Sequence, residues 1–84
     1  MYYVYVLKSC LNGRFYTGMT QNLDNRIKEH NSDRVKSTKH FIPYEKVYHE
    51  IQNDRRSARM REKYLKSAAG KRFLTKFALS IPAP

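Results

Sequence analysis

The chain has 84 residues and a formal net charge of +10, from 17 Lys and Arg against seven Asp and Glu. A chain of this length forms one domain with a small core, which leaves little room for a second site. Its basic residues run along the whole sequence instead of gathering in a tail, which is typical of proteins that bind a polyanion such as nucleic acid. We predict a single domain over residues 1–80, followed by a C-terminal tail at 81–84.

The composition also bears on the compartment. No apolar stretch has the length of a membrane span or of a signal-peptide core, so we expect no membrane association. Cys10 is the only cysteine and cannot form an internal disulfide, and the chain has no Cys and His cluster with zinc spacing. We therefore predict a cytoplasmic protein in a reducing environment, with Cys10 half-buried in a strand.

The N-terminal part of the chain predicts a β-hairpin. Residues 2–8 are aromatic and β-branched with little polar content, as is typical of a central strand covered on both faces. The dipeptide Asn12-Gly13 is the strongest short-range hairpin signal, and residues 14–19 follow as the returning strand.

A two-residue turn would set the register of this hairpin. Because side chains alternate along a strand, Tyr5 and Tyr16 would then share one face of the sheet, and a one-residue change in loop length would separate them. Gly18 has no side chain and would let a ligand or a backbone come close. The cross-strand pairs expected from this turn are Tyr5 with Thr20, Leu7 with Gly18, and Ser9 with Tyr16.

The middle of the chain changes from helical to extended patterning. Residues 22–31 have apolar positions at helical spacing, with Asn22 as the N-cap. Residues 32–43 are basic, polar and closed by a proline, which predicts a mobile basic loop. Apolar and polar residues alternate over 45–51, which predicts a third strand.

The C-terminal part predicts two helices. Asp54 is a good N-cap for a long helix over 55–69, which Gly70 can end, and 71–79 predicts a last short helix. The predicted fold is α+β with the order ββαβαα. It consists of a small three-stranded, mostly antiparallel sheet, made of the hairpin and a third strand, packed with helices.

The first predicted helix carries two residues suited to phosphate chemistry. Arg26 and His30 are four residues apart, so they lie on neighbouring turns of one helix face. The planar fork of arginine suits phosphate, and histidine exchanges a proton near neutral pH. The alternative is a solvated arginine beside a core-edge histidine whose ring nitrogens are hydrogen-bonded.

Glu62 is the only acidic residue of the long predicted helix. Successive positions about 100° apart place Glu62 between Ala58, Leu65 and Ala69, on the face that packs inward. A carboxylate on an apolar face needs a partner, and the two common ones are a basic side chain and a metal ion. Both an ion pair with Arg26 and coordination of a metal are open at this point.

These residues together could hydrolyse a phosphodiester. The reaction needs a base to activate water, a cation to stabilise charge on the phosphate, and a hard metal ion, often held by one carboxylate plus waters. Tyrosine or histidine can be the base, arginine the clamp and glutamate the metal ligand. The residues that could converge in this way are Tyr5, Tyr16, Arg26, His30 and Glu62.

Three ordered motifs carry a resemblance to a known family. Tyr3-Val4-Tyr5 and, eleven residues after Tyr5, Tyr16-Thr17-Gly18 resemble the two halves of the GIY-YIG signature. The segment NLDNRIKEHN at 22–31 is similar to the family's helix with its catalytic arginine, and RMREKYLKS at 59–67 to the helix with its metal-binding glutamate. The resemblance covers nearly the whole chain. It is closest to small single-domain members of the GIY-YIG nuclease superfamily, related to the N-terminal nuclease domain of the excinuclease of nucleotide-excision repair.

The resemblance implies a role for each matched residue. One signature tyrosine would help activate the water and the other would position it or the phosphate. The residues that match are Tyr5 and Tyr16 for these tyrosines, Gly18 for the signature glycine, Arg26 for the phosphate-stabilising arginine, His30 for a histidine near the nucleophile, and Glu62 for the only protein ligand of Mg²⁺ or Mn²⁺. The chain departs from repair-type members at Met19, where they often have lysine, and at Leu74, where they often have asparagine.

The resemblance implies a metal-dependent endonuclease that hydrolyses DNA, with a role in repair or recombination and a protein partner that could supply targeting. One alternative is a non-catalytic basic module that binds DNA or RNA and keeps the fold, with Glu62 in a salt bridge to Arg26. A small protein that binds RNA or a ribonucleoprotein fits the composition equally well. The expected nucleic-acid contacts are Gly18, Arg34, Lys36, Lys39, Arg55, Arg56 and Arg59.

Overall fold

The computed structural model describes residues 1–32, 34–36 and 38–80, with side chains as far as residue 77. The predicted α+β class and ββαβαα order are confirmed. The predicted tail at 81–84 lies outside the described residues, and no described helix is long and apolar enough to cross a membrane. The elements are β1 (Tyr2–Ser9), β2 (Phe15–Thr20), α1 (Leu23–Asn31), a short 3-10 helix (Lys39–Phe41), β3 (Tyr44–Gln52), α2 (Arg55–Lys66) and α3 (Ala68–Ser80).

The three strands form one antiparallel sheet in the order β2-β1-β3. β1 is central and covered on both faces, which explains why its sequence is continuously apolar and aromatic. Val4 and Val6 pack on the α2 and α3 side in a core that also contains Ala58, Leu65 and Leu74. The intervening side chain of Tyr5 points to the opposite face, since side chains alternate along a strand.

The predicted hairpin register is wrong by two residues. Tyr5 pairs with Gly18 instead of Thr20, and Tyr16 pairs with Leu7 instead of Ser9. A two-residue shift preserves the alternation of side chains, so Tyr5 and Tyr16 still lie on the same face.

A four-residue loop at 10–13 replaces the expected two-residue turn. The Ser9 amide donates to the Arg14 carbonyl at 3.0 Å, and the Gly13 amide donates back to the Ser9 carbonyl at 2.9 Å. Gly13 has φ +74°, a left-handed conformation that glycine adopts without strain. The Ser9 hydroxyl also accepts from the Asn12 amide at 3.2 Å, which fixes the longer loop. Cys10 lies in this turn and is exposed, so the expected half-buried strand position is wrong.

The predicted caps of α1 and α2 are confirmed. The Asn22 side chain accepts from the Asn25 amide at 3.1 Å, and the Asp54 carboxylate accepts from the Ser57 amide at 2.8 Å. These bonds satisfy amides that the first turn of a helix leaves without a partner.

The segment between α1 and β3, described at residues 32, 34–36 and 38–43, is bracketed by hydrogen bonds at its two ends, and its predicted mobility stays a prediction. The Asn31 side chain donates to the Tyr44 carbonyl at 3.1 Å and accepts from the Tyr44 amide at 2.6 Å, which ties the end of α1 to the start of β3. Thr38 is fully buried immediately before the 3-10 helix.

The long C-terminal helix is divided differently from the prediction. Ser67 has an extended backbone with ψ 169°, so α2 ends before it and α3 begins after it. Gly70 does not end a helix but is buried inside α3, where an added Cβ would collide with the Tyr64 carbonyl and lie 2.5 Å from the Leu65 Cα. Glycine is therefore needed because α3 passes close to the last turn of α2.

Candidate active site

A chain of buried hydrogen bonds connects β1 with α1 and the following segment. The Tyr5 hydroxyl lies 2.9 Å from His30 Nε2, and His30 Nδ1 lies 2.9 Å from the Thr38 hydroxyl. The Thr38 hydroxyl donates to the Val35 carbonyl at 3.4 Å. Thr38 therefore accepts the hydrogen of Nδ1, which leaves Nε2 as the acceptor for the Tyr5 hydroxyl.

The environment of His30 keeps its ring neutral. Its side chain is fully buried, and this burial, together with the nearby positive charge of Arg26, lowers its pKa to about 4. At neutral pH the ring is uncharged, and Nε2 accepts the hydrogen bond of the Tyr5 hydroxyl. His30 therefore has the bonded ring nitrogens of the core-edge alternative, and its catalytic role stays a prediction.

Tyr5 is enclosed by the groups that tune its acidity. It is 1% exposed, and burial raises the pKa of its hydroxyl, while a hydrogen bond from the Arg26 guanidinium acts in the opposite direction. The charges of Tyr16 and Glu62 raise the pKa further, which places both side chains within electrostatic reach of Tyr5. Arg26, Tyr16 and Glu62 therefore all influence the acidity of the Tyr5 hydroxyl.

Gly18 provides the space for that hydroxyl. A Cβ added at Gly18 would lie 2.5 Å from the Tyr5 oxygen, closer than real Cβ contacts come. The group that approaches Gly18 is thus the Tyr5 side chain, and Gly18 itself is buried. Gly18 thus has a packing role within the site, and its expected contact with nucleic acid stays a prediction.

Two further tyrosines surround the His30 ring. The Tyr16 ring meets it edge-on with centroids 4.8 Å apart, and the Tyr44 ring is tilted at 6.4 Å. Tyr16 is half-buried, whereas Tyr5 is buried. Sequence reasoning did not select Tyr44, which begins β3, because only the folded sheet brings that strand beside the ring.

Arg26 and Glu62 do not form the salt bridge that was considered as an alternative to a metal site. Arg26 pairs with Glu29 at 3.7 Å, and Glu62 pairs with Lys66 at 3.7 Å. Sequence reasoning missed both partners, although the i,i+3 and i,i+4 spacings were available as a signal. A hydrogen bond to Tyr5 raises the pKa of Arg26, which stays charged beside the site.

Glu62 is suited to hold a divalent cation. Its side chain is 17% exposed and lies at the border between the core face and the basic face of α2. Across the described residues, no three His, Cys, Asp or Glu side chains cluster as a metal site. A single carboxylate completed by waters and substrate oxygens suits Mg²⁺, which keeps much of its hydration. The Glu62 carboxylate is therefore compatible with the expected ion, and its role as a metal ligand stays a prediction.

The expected phosphate contacts lie at the surface. Three of the arginines are exposed on α2 and, with Met60 and Lys63, line a groove of about 520 Å³. On an α-helix, two of them lie within about 60° of Glu62, so the basic face begins next to the carboxylate. The arginines of the groove are Arg55, Arg56 and Arg59, while Arg34 and Lys36 are exposed and Lys39 is half-buried in the segment before β3.

Comparison with known proteins agrees with the motif pattern. The model of the GIY-YIG catalytic domain matches residues 1–76. A UPF0213 protein of Clostridium perfringens is 45% identical over 67 residues, which cover 79% of this chain and 71% of that protein. A UPF0213 protein of Bacillus licheniformis is 37% identical over 71 residues, which cover 83% of this chain and 72% of that protein.

A solved structure shows the same fold. The solution NMR structure of a UPF0213 protein from Bacillus halodurans has a TM-score of 0.54 and 34% sequence identity, and the match covers 90% of this chain and 84% of that one. UPF0213 proteins form a small group within the GIY-YIG family. The chain belongs to the GIY-YIG family, a nuclease superfamily, and its relatives are UPF0213 proteins.

Proposed function

We propose that the protein is a metal-dependent endonuclease that hydrolyses phosphodiester bonds of DNA. The observation that carries this proposal is the buried hydrogen-bond chain from Tyr5 through His30 to Thr38, with the charge of Arg26 acting on Tyr5. In this chain, Nε2 of the buried His30 ring is a neutral proton acceptor, and the charged Arg26 guanidinium is nearby. A purely structural core has no need for a phenol held between these two groups.

The Tyr5 and His30 pair is the proposed proton acceptor. When Tyr5 takes a proton from the attacking water, its own hydroxyl proton can pass to His30 Nε2, 2.9 Å away. The Thr38 hydroxyl, which accepts from Nδ1, stabilises the positive charge that forms on the ring. Arg26 favours the ionised form of Tyr5, as its hydrogen bond opposes the effect of burial on the pKa of the phenol.

The phosphate is bound from the more exposed side. The Arg26 guanidinium, about a third exposed, can stabilise the charge that develops on the phosphate oxygens, and the Tyr16 hydroxyl can position the phosphate or the water. Glu62 would hold Mg²⁺ or Mn²⁺, which when bound supplies Lewis-acid stabilisation of the phosphate oxygens.

The proposed substrate follows from charge. The net charge of +10 and the exposed arginines beside Glu62 favour a nucleic acid, and DNA is proposed because of the family. Arg34, Lys36, Lys39, Arg55, Arg56 and Arg59 are proposed backbone contacts. We further propose a cytoplasmic role in DNA repair or recombination, with a partner protein that brings the substrate.

The decisive experiment compares the wild type with Glu62→Gln and Glu45→Gln. Supercoiled, single-stranded and branched DNA are incubated with Mg²⁺ or Mn²⁺, and products are resolved on gels. We expect metal-dependent cutting that falls about 100-fold or more in Glu62→Gln. Glu45→Gln is the matched control, because it removes a carboxylate from an exposed position on β3 and should cut like the wild type.

The alternative is a binding module that keeps the fold without catalysis. It is favoured by the strong positive charge and by the exposed groove on α2. Salt-dependent binding that is equal in the wild type and Glu62→Gln, with no cutting in either, would replace the nuclease proposal with this one.

A further inference from the structure

Lys66 stands between two parts of the site. Its ammonium lies 3.7 Å from Glu62 Oε2, and 56% of its side chain is exposed. The same side chain lines a pocket of about 270 Å³ that also contains Tyr16 and Lys71. The separation from Glu62 is longer than a hydrogen bond, so Lys66 can move into the pocket without breaking one.

The pocket has the chemistry of a phosphate site. Two ammonium groups and the half-buried tyrosine line it together with Phe15, Thr17 and Leu65. Lys71 is exposed in the first turn of α3, where a cation opposes the helix dipole and lowers helix stability. Helix stability therefore does not explain Lys71, whereas binding of an anion in the pocket does.

Helix stability explains only part of why a lysine occupies position 66. It lies in the last turn of α2, where cations are favourable, and its i,i+4 spacing from Glu62 supports the helix. Lys63 in the same turn shares the helix-dipole contribution but lines the outer groove with Arg59 and Met60. Lys63 therefore provides a matched control for a role that belongs to Lys66 alone.

We propose that Lys66 is a positioning residue that couples divalent-cation binding at Glu62 to phosphate binding beside Tyr16. In the free protein, Lys66 is the counter-ion of Glu62. When a divalent cation binds at Glu62, it repels the ammonium, which turns into the pocket and contacts a substrate phosphate together with Lys71. This inference rests on the proposed function, because it assigns the cation and the phosphate to that site.

The coupling must act in both directions. A phosphate that draws Lys66 away from Glu62 leaves the carboxylate free for the cation, so each ligand raises the affinity for the other. Coupling of this kind gives the protein a way to hold the cation more tightly when DNA is present.

The first test is Mn²⁺ binding in the absence of DNA, measured by isothermal titration calorimetry on the full chain. Lys66→Gln should bind Mn²⁺ about two- to fivefold more tightly than the wild type, because the competing ammonium is gone. Lys63→Gln removes the same charge from the outer face and should leave the Mn²⁺ affinity unchanged. Glu62→Gln should abolish the binding.

The second test is fluorescence anisotropy with a short DNA oligonucleotide whose phosphorothioate linkages resist cleavage. In the wild type, saturating Mn²⁺ should tighten oligonucleotide binding about fivefold or more. This gain should disappear in Lys66→Gln, remain in Lys63→Gln, and return in Lys66→Arg, which keeps the charge.

The two proposals fail in different ways. Unchanged Mn²⁺ affinity in Lys66→Gln, or an undiminished gain on adding Mn²⁺, overturns the role of Lys66 even where metal-dependent cutting that requires Glu62 is found. Mn²⁺ binding that survives Glu62→Gln, together with no cutting by the wild type, overturns the proposed function and this inference with it.

Discussion

Substitution of Gly18 by alanine tests the packing at the centre of the site. The new methyl group would lie 2.5 Å from the Tyr5 oxygen and 2.7 Å from its Cζ. The Tyr5 ring cannot retreat freely, because its hydroxyl is hydrogen-bonded to the buried His30 ring. We therefore expect Tyr5 to be displaced and this hydrogen bond to be broken.

The expected cost has two contributions. Overpacking of a well-packed interior costs about 1–3 kcal/mol, and leaving buried polar groups without a partner costs about 1–3 kcal/mol. A loss of about 3 kcal/mol is a large part of the roughly 4–12 kcal/mol available to a domain of this size. It should lower the melting temperature by about 10 °C or more.

The free energy of unfolding is measured by urea denaturation at pH 7, followed by circular dichroism, for the wild type, Gly18→Ala, Tyr5→Phe and the double variant. Because Tyr5→Phe removes the nearest atom, the double variant should lose about 1 kcal/mol less than the two single losses added together. A loss below about 0.5 kcal/mol in Gly18→Ala, or full additivity, would refute the reasoning.

Three further predictions concern stability. Because burial lowers the pKa of His30 to about 4, the unfolded chain takes up a proton at a higher pH than the folded protein does. The free energy of unfolding should therefore fall by about 3 kcal/mol between pH 7 and pH 4, and an equally steep fall in His30→Gln would contradict this. Gly70→Ala should cost about 2 kcal/mol or more in thermal unfolding, because its methyl meets the Tyr64 carbonyl and rigid backbone; an unchanged melting temperature would be evidence against that contact. Burial raises the pKa of Glu50, but hydrogen bonds led by Arg61 hold it below its usual value, so Arg61→Met should raise that pKa and cost about 1–2 kcal/mol, as carboxyl NMR titration and urea denaturation can check.

Local sequence determined most of the secondary structure. The caps at Asn22 and Asp54 act over three residues, and the apolar, aromatic run of β1 reflects burial on both faces, so neither required knowledge of distant contacts. The GIY-YIG motifs likewise identified the family, and Tyr5, Arg26 and His30 do meet in the structure.

Tertiary structure decided the arrangements that join distant segments. The hairpin loop has four residues because Ser9 and Gly13 close it, so the cross-strand pairs could not be obtained from Asn12-Gly13 alone. The sequence suggested that Gly70 ends a helix, but a glycine is needed there because α3 passes close to the last turn of α2.

The site shows the same division. The residue types of the site could be recognised along the chain, whereas the tautomer of His30 depends on the hydrogen bond between Nδ1 and the Thr38 hydroxyl. Capping and amphipathic patterns are set by neighbours within a turn or two. Proton position and pKa depend on which groups burial brings within a few ångströms, and only the complete fold sets those distances.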